Sequence, residues 1–142
     1  MTRACIRLCY ETGMKRRALI SLLISTATMA WADGPQVVAA HAEKSGMGWR
    51  ISVTLSHPDT GWDHYAQGWE IVDATGRVLG TRELMHPHVT EQPFTRSLNA
   101  VILPDGVREI YIRTKCSVEG WTAPLYRLTL SPMGTEEAAS GD

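Results

Sequence analysis

Three things are scarce in this chain, and each scarcity excludes something. Cysteine is the first: of three in 142 residues, Cys5 and Cys9 sit close to the start, and only Cys116 lies further on. One thiol cannot close an internal disulfide, so the fold must rest on its core or on association. Positive charge is the second. Beyond residue 32 there are nine Lys and Arg against fourteen Asp and Glu, a formal charge of −5. An acidic domain without a basic stripe argues against nucleic acid and against anionic membrane surfaces as partners. A protein or a small ligand remains. The third scarcity is catalytic patterning: beyond residue 32 there is no HExxH, no cysteine pair and no strand–turn–helix elbow to present a serine. The expectation is a protein that is not an enzyme.

The N-terminal segment reads as processing sequence. "MKRR" at 14–17 supplies a positive start, and "ALISLLISTATMA" at 18–30 is apolar but too short to span a bilayer. "AWA" at 30–32 sets small residues before a cleavage point at Asp33. Residues 1–32 are therefore expected to be a signal peptide whose true start is Met14, and Arg16-Arg17 gives a faint twin-arginine hint. No cysteine stands directly after the cleavage point, so no lipid anchor is expected there. The mature protein would be periplasmic or secreted, with no stable membrane insertion. Residues 33–133 are enough for one domain with one core, and the small, acidic 134–142 reads as a disordered tail.

Within that domain the pattern alternates rather than following a helical period. In "WRISVTLS", Trp49, Ile51, Val53 and Leu55 share one face, and in "VREIYIRTKC" Ile110, Ile112, Thr114 and Cys116 do the same. Gly, Asp and Pro in "KSGMG" (44–48), "DATG" (73–76) and "PDG" (104–106) are turn formers. Strands are expected near 35–43, 48–56, 66–73, 77–84, 94–100, 107–116 and 123–131. Seven short antiparallel strands suggest an immunoglobulin- or fibronectin-like sandwich anchored by Trp69 or Trp49, with a small open barrel as the alternative.

In such a fold the connections alternate between two poles. The second, fourth and sixth, "HPDTGWDHYAQ" (57–67), "MHPHVTEQP" (85–93) and "CSVEGWTAP" (116–124), hold nearly all the unusual chemistry. His57, His64, His86 and His88 fall there with Asp59, Asp63, Glu91, Cys116 and Glu119, whereas His41 does not. The residue before a proline is extended, and in extended chain residues two apart share a side, so His86 and His88 can converge on one ion. His64 or Glu91 would complete the shell, with His57, Asp63 or Cys116 in reserve. Zinc suits imidazole with carboxylate or thiolate, and copper(I) would draw on Met85 and Cys116. The competing use of these histidines is to pin irregular chain through backbone carbonyls. Trp62, Tyr65 and Trp121 form a candidate partner-binding surface, although buried aromatics cap cores as readily. "DTG" in 59–61 lacks a second copy and is taken as chance. Ser117 shares the pole with His64 and Asp63, a constellation that would serve hydrolysis if an oxyanion loop accompanied it. Arg82 and Arg96 are placed to fork onto loop carboxylates.

The run "GWDHYAQGWEIVDATGRVLGTREL", continuing into "MHPHVTEQPFTRSL", resembles a family of small exported bacterial proteins known mainly from uncharacterised members. The likeness covers about 61–98, with a looser match through "ILPDGVREIYIRTKCSVEGW", and "HPHVTEQPFTRSL" is its most specific part. It implies a compact β domain behind a signal peptide and carries no activity with it. The family pattern has Asp where Cys116 stands and His where Glu119 stands. This chain departs from it in the last polar loop, while His64, His86, His88 and Glu91 match.

Overall fold

A computed structural model describes residues 34–131, so the leader 1–32 and the tail 134–142 lie outside the described residues. Eight strands follow in order: β1 Gln36–Ser45, β2 Gly48–Ser56, β3 Ala66–Val72, β4 Val78–Glu83, β5 Phe94–Val101, β6 Glu109–Cys116, β7 Gly120–Trp121 and β8 Tyr126–Thr129. They form two antiparallel sheets, one ordered β1-β2-β5 and one ordered β4-β3-β6, with β7 and β8 both on the outer edge of β6. The sheets are not closed on one another, and the fold is a β-sandwich rather than a barrel. The fourth strand pairs with β3. In the constant-type immunoglobulin order it would join the other sheet.

The alternation dictates which faces meet. Ile51, Val53 and Leu55 of β2 are fully buried, while Arg50 and Ser56 face out. In β6 the inward set is Ile110, Ile112, Thr114 and Cys116. These rows close on Trp69 and Ile71 of β3, Ala40 and Ala42 of β1, Phe94 of β5 and Leu128 of β8 in one core. Each large apolar side chain withdrawn from water contributes about 1.5–3 kcal/mol, so a core of this size can replace disulfides. Trp69 is the central anchor; Trp49 packs only partly buried at its margin, with the Lys44 ammonium 5.6 Å from its ring centroid.

The seventh expected strand, 123–131, is β8 alone, and the two-residue β7 lies ahead of it within the expected loop 116–124. Pro124 has no N–H to donate, and the chain bends at Ala123-Pro124 between β7 and β8. The pairing of Lys115 with Trp121 and of Cys116 with Gly120 folds the chain back over the end of β6, where the site is built.

Candidate metal centre

The three loops meet. Asp59 stands at their junction: Oδ1 accepts from the His57 ring at Nδ1 (2.6 Å) and from the amide of Ala66 (2.9 Å), and Oδ2 accepts from the amide of His88 (2.6 Å). Gln92 ties the same segments from the other side. Its Oε1 accepts from the His57 amide at 3.0 Å and its Nε2 donates to the His88 carbonyl at 3.0 Å. Ser117 and Tyr65 exchange two bonds of 3.0 Å, the Ser117 amide donating to the Tyr65 carbonyl and the Tyr65 amide to Ser117 Oγ. Loops 57–67, 85–93 and 116–124 are thus laced together through backbone groups that have no ladder partner.

Local chemistry sets each side chain. The Asp59 amide bonds the His57 carbonyl at 2.8 Å, a tight turn about Pro58 that Pro's fixed φ favours. This turn brings the His57 ring against the Asp59 carboxylate. Gly61, with φ of 138°, supplies a conformation closed to other residues. The chain then doubles back, with bonds from Thr60 to the His64 carbonyl (2.9 Å) and from His64 to the Gly61 carbonyl (3.2 Å). His64 is left with its ring centroid 4.7 Å from that of His57. Cys116 ends β6 on the inward face, opposite Ala66, and its sulfur accepts from the Val118 amide at 3.5 Å.

One ligand atom from each of His57, His64 and Cys116 lies within 4.8 Å of the other two, the grouping of three such residues found among the described residues. Glu119 borders it, with Oε2 3.5 Å from His64 Nε2. His64 Nε2 is buried and makes no hydrogen bond. Electrostatics follow from burial and these neighbours. The Cys116 thiol is pushed up by burial and then by the Glu119 carboxylate, while the hydrogen bond from that thiol, outweighing burial, holds Glu119 below its ordinary value. Burial alone would raise the Asp59 carboxyl. The donors from His88, His57 and Ala66 outweigh it and keep the group ionised.

The expected ligand set is rearranged by this geometry. His86 and His88 do stand together, with ring centroids 4.5 Å apart, but neither belongs to the three-residue grouping. Glu91, expected to complete their shell, is gripped by Arg96 through two bonds of 3.2 and 2.9 Å. Arg96 forks as expected; Arg82 does not, and its Nε is buried without a hydrogen bond. Asp63 faces solvent, and His41 lies on β1 opposite Ser52, away from the pole. The residues held in reserve, His57 and Cys116, are the ones drawn to His64. Sequence reasoning passed over Asp59 and Glu119 as working groups, though "HPD" at 57–59 repeats the pattern of "HPH" at 86–88. The aromatic trio splits: Trp62 is 68% exposed and packs edge-on to Tyr65 at 5.7 Å, whereas Trp121 lies under Arg113 and Lys115 at 5.0 and 5.5 Å. Tyr65 and Trp121 both line a cleft of about 270 Å³.

No family model and no solved structure matches the chain. A protein of Halomicrobium mukohataei described as "Putative lipoprotein" is 41% identical over 71 residues, which cover 50% of this chain and 34% of that protein. The chain thus spans about a third of the relative's length. Among the described residues no helix is long and apolar enough to cross a membrane.

Proposed function

We propose that this is an exported β-sandwich that binds a single transition-metal ion through His57, His64 and Cys116, without catalysing a reaction. The convergence of those three side chains from two loops carries the reading. The Asp59 carboxylate on His57 Nδ1 matches the carboxylate–histidine–metal arrangement that orients many ligating imidazoles. Two imidazoles and a thiolate suit zinc or copper, and Glu119 is placed to add a carboxylate oxygen. A bound ion would deprotonate the thiol that burial otherwise keeps protonated. Export is supported by the leader-like start and by the relative's description as a lipoprotein, though Asp33 rather than a cysteine stands directly after the expected cleavage point.

The test is direct. Mature protein without a histidine tag takes up one equivalent of zinc or copper(II), and its Tm rises with ion concentration, because a native-state ligand stabilises by mass action. Cobalt(II) gives a thiolate charge-transfer band that disappears in Cys116→Ser. If neither ion shifts the Tm and no cobalt–thiolate band forms, the assignment is wrong.

A second reading, a protein-docking surface on Trp62, Tyr65 and Trp121, is favoured by the 68% exposure of Trp62 at the edge of the same pole. A partner captured by the wild type and lost with Trp62→Ala would support it, and an unchanged set of partners would count against it.

A further inference from the structure

Another group at this pole is left unexplained by the buried centre. The His88 side chain is 2% exposed, yet neither of its ring nitrogens makes a hydrogen bond. Leaving a buried polar group unsatisfied costs about 1–3 kcal/mol. Packing holds the ring in place instead, stacked on Phe94 at 3.8 Å with 9° between planes. Asp59 Oδ2 is 4.0 Å from His88 Nδ1, too far for a hydrogen bond, because that carboxylate is committed to the His57 ring and to two amides. Beside His88, 4.5 Å away between centroids, lies the exposed ring of His86. His86 Nδ1 pairs with the Pro87 carbonyl at 3.1 Å, a contact that favours the tautomer with its proton on Nδ1 and the lone pair on Nε2. Met85, next in the chain, is 74% exposed at the mouth of the cleft that Tyr65 and Trp121 line. The nearby Arg96 cation is answered by Glu91 through a two-pronged pair.

We propose that His86 and His88, with the Met85 thioether, form a second site at the rim of the pole that takes a soft monovalent ion of the copper(I) class. Two imidazole nitrogens and a thioether are ligands such an ion accepts at low coordination number, while zinc would lack the further donors it needs. An ion between the rings would satisfy one of the two stranded nitrogens of His88. The site is independent of the buried centre, although Asp59 touches both: it accepts from the His57 ring and from the His88 amide.

Silver(I), which does not change oxidation state, is the probe, checked by anaerobic copper(I) against a chromophoric chelator. The titration is made in a Cys116→Ser background, so that no thiolate at the buried centre competes. We expect one equivalent to remain bound, with His88 ring resonances shifting on addition. Adding His86→Ala, at an exposed position, should weaken binding at least tenfold, and Met85→Ala should weaken it several-fold. No silver bound by Cys116→Ser, or equal affinity after His86→Ala, overturns the proposal. The two sites fail separately: loss of the cobalt–thiolate band bears on the buried centre alone, and the silver titration on the rim alone.

Discussion

At the scale of single residues, Asp59 does the most with the least. One buried carboxylate accepts from a ring nitrogen and two amides and so fixes the orientation of His57 and the path of two loops. Asp59→Asn keeps an acceptor but turns an amide N–H₂ toward donors, stranding at least one of them. The expected cost is about 1–3 kcal/mol in chemical denaturation. Metal affinity should fall about 10–100-fold with unchanged stoichiometry, as when outer partners of ligating histidines are removed. An unchanged affinity would mean that Asp59 only holds loops. His88 supplies a pH prediction. Burial first, then the Arg96 and His86 charges, lower its pKa from the ordinary 6.5, so the folded protein keeps the ring neutral where the unfolded chain protonates it. Below 6.5 the unfolded state binds more protons, and stability falls as pH is lowered from 6.5 toward the folded value. Melting curves of metal-free protein should show that slope, and His88→Leu should flatten it. Asp59 acts in a lower window. Its folded pKa lies below 3.8, so its contribution persists above that value and is lost as pH drops through the folded one.

At the scale of elements, the informative strand is β3. It is buried along nearly its whole length because one face meets the core and the other carries Glu70, which Arg113 engages from β6 with Nε at 2.8 Å. Gly68 lies where β3 meets β4, and a Cβ there would stand 2.7 Å from the Arg82 carbonyl oxygen. That contact is with backbone, so relief requires the strands to part. Gly68→Ala should cost about 1–3 kcal/mol, the range of overpacking, measured by urea unfolding. A cost near zero would show that the β3–β4 edge is looser than its register implies. Such an edge could not hold the cleft that Tyr65 and Trp121 line in fixed shape.

At the scale of the whole molecule, the two sheets share one core and should melt together. Ile51→Ala in the three-stranded sheet and Ile110→Ala in the five-stranded one each remove a fully buried side chain. Each should destabilise by about 2–5 kcal/mol, with one cooperative transition and an unchanged denaturant slope. Two separated transitions in either variant would mean that the sheets are held independently. Adding the metal should raise Tm in both variants, since the buried centre joins the ends of β3 and β6 rather than the middle of the core.

The sequence alone determined every strand but the two-residue β7, together with their faces and the polarity of the two ends. Alternation is local: Ile51, Val53 and Leu55 declare a face without reference to the rest of the chain, and Gly and Pro mark the turns by their own φ preferences. It also gathered His57, His64, His86, His88 and Cys116 at one pole, because antiparallel order fixes which loops are neighbours. Choosing among them was a matter for tertiary structure. Whether His64 meets Cys116 or His86 depends on a two-residue bridge at Gly61–His64, on the break at Pro124 and on a carboxylate shared among three donors. These are packing and hydrogen-bond contests between segments far apart in sequence. Spacing along a chain cannot rank them, because the winner is set by which buried donor would otherwise be left without an acceptor.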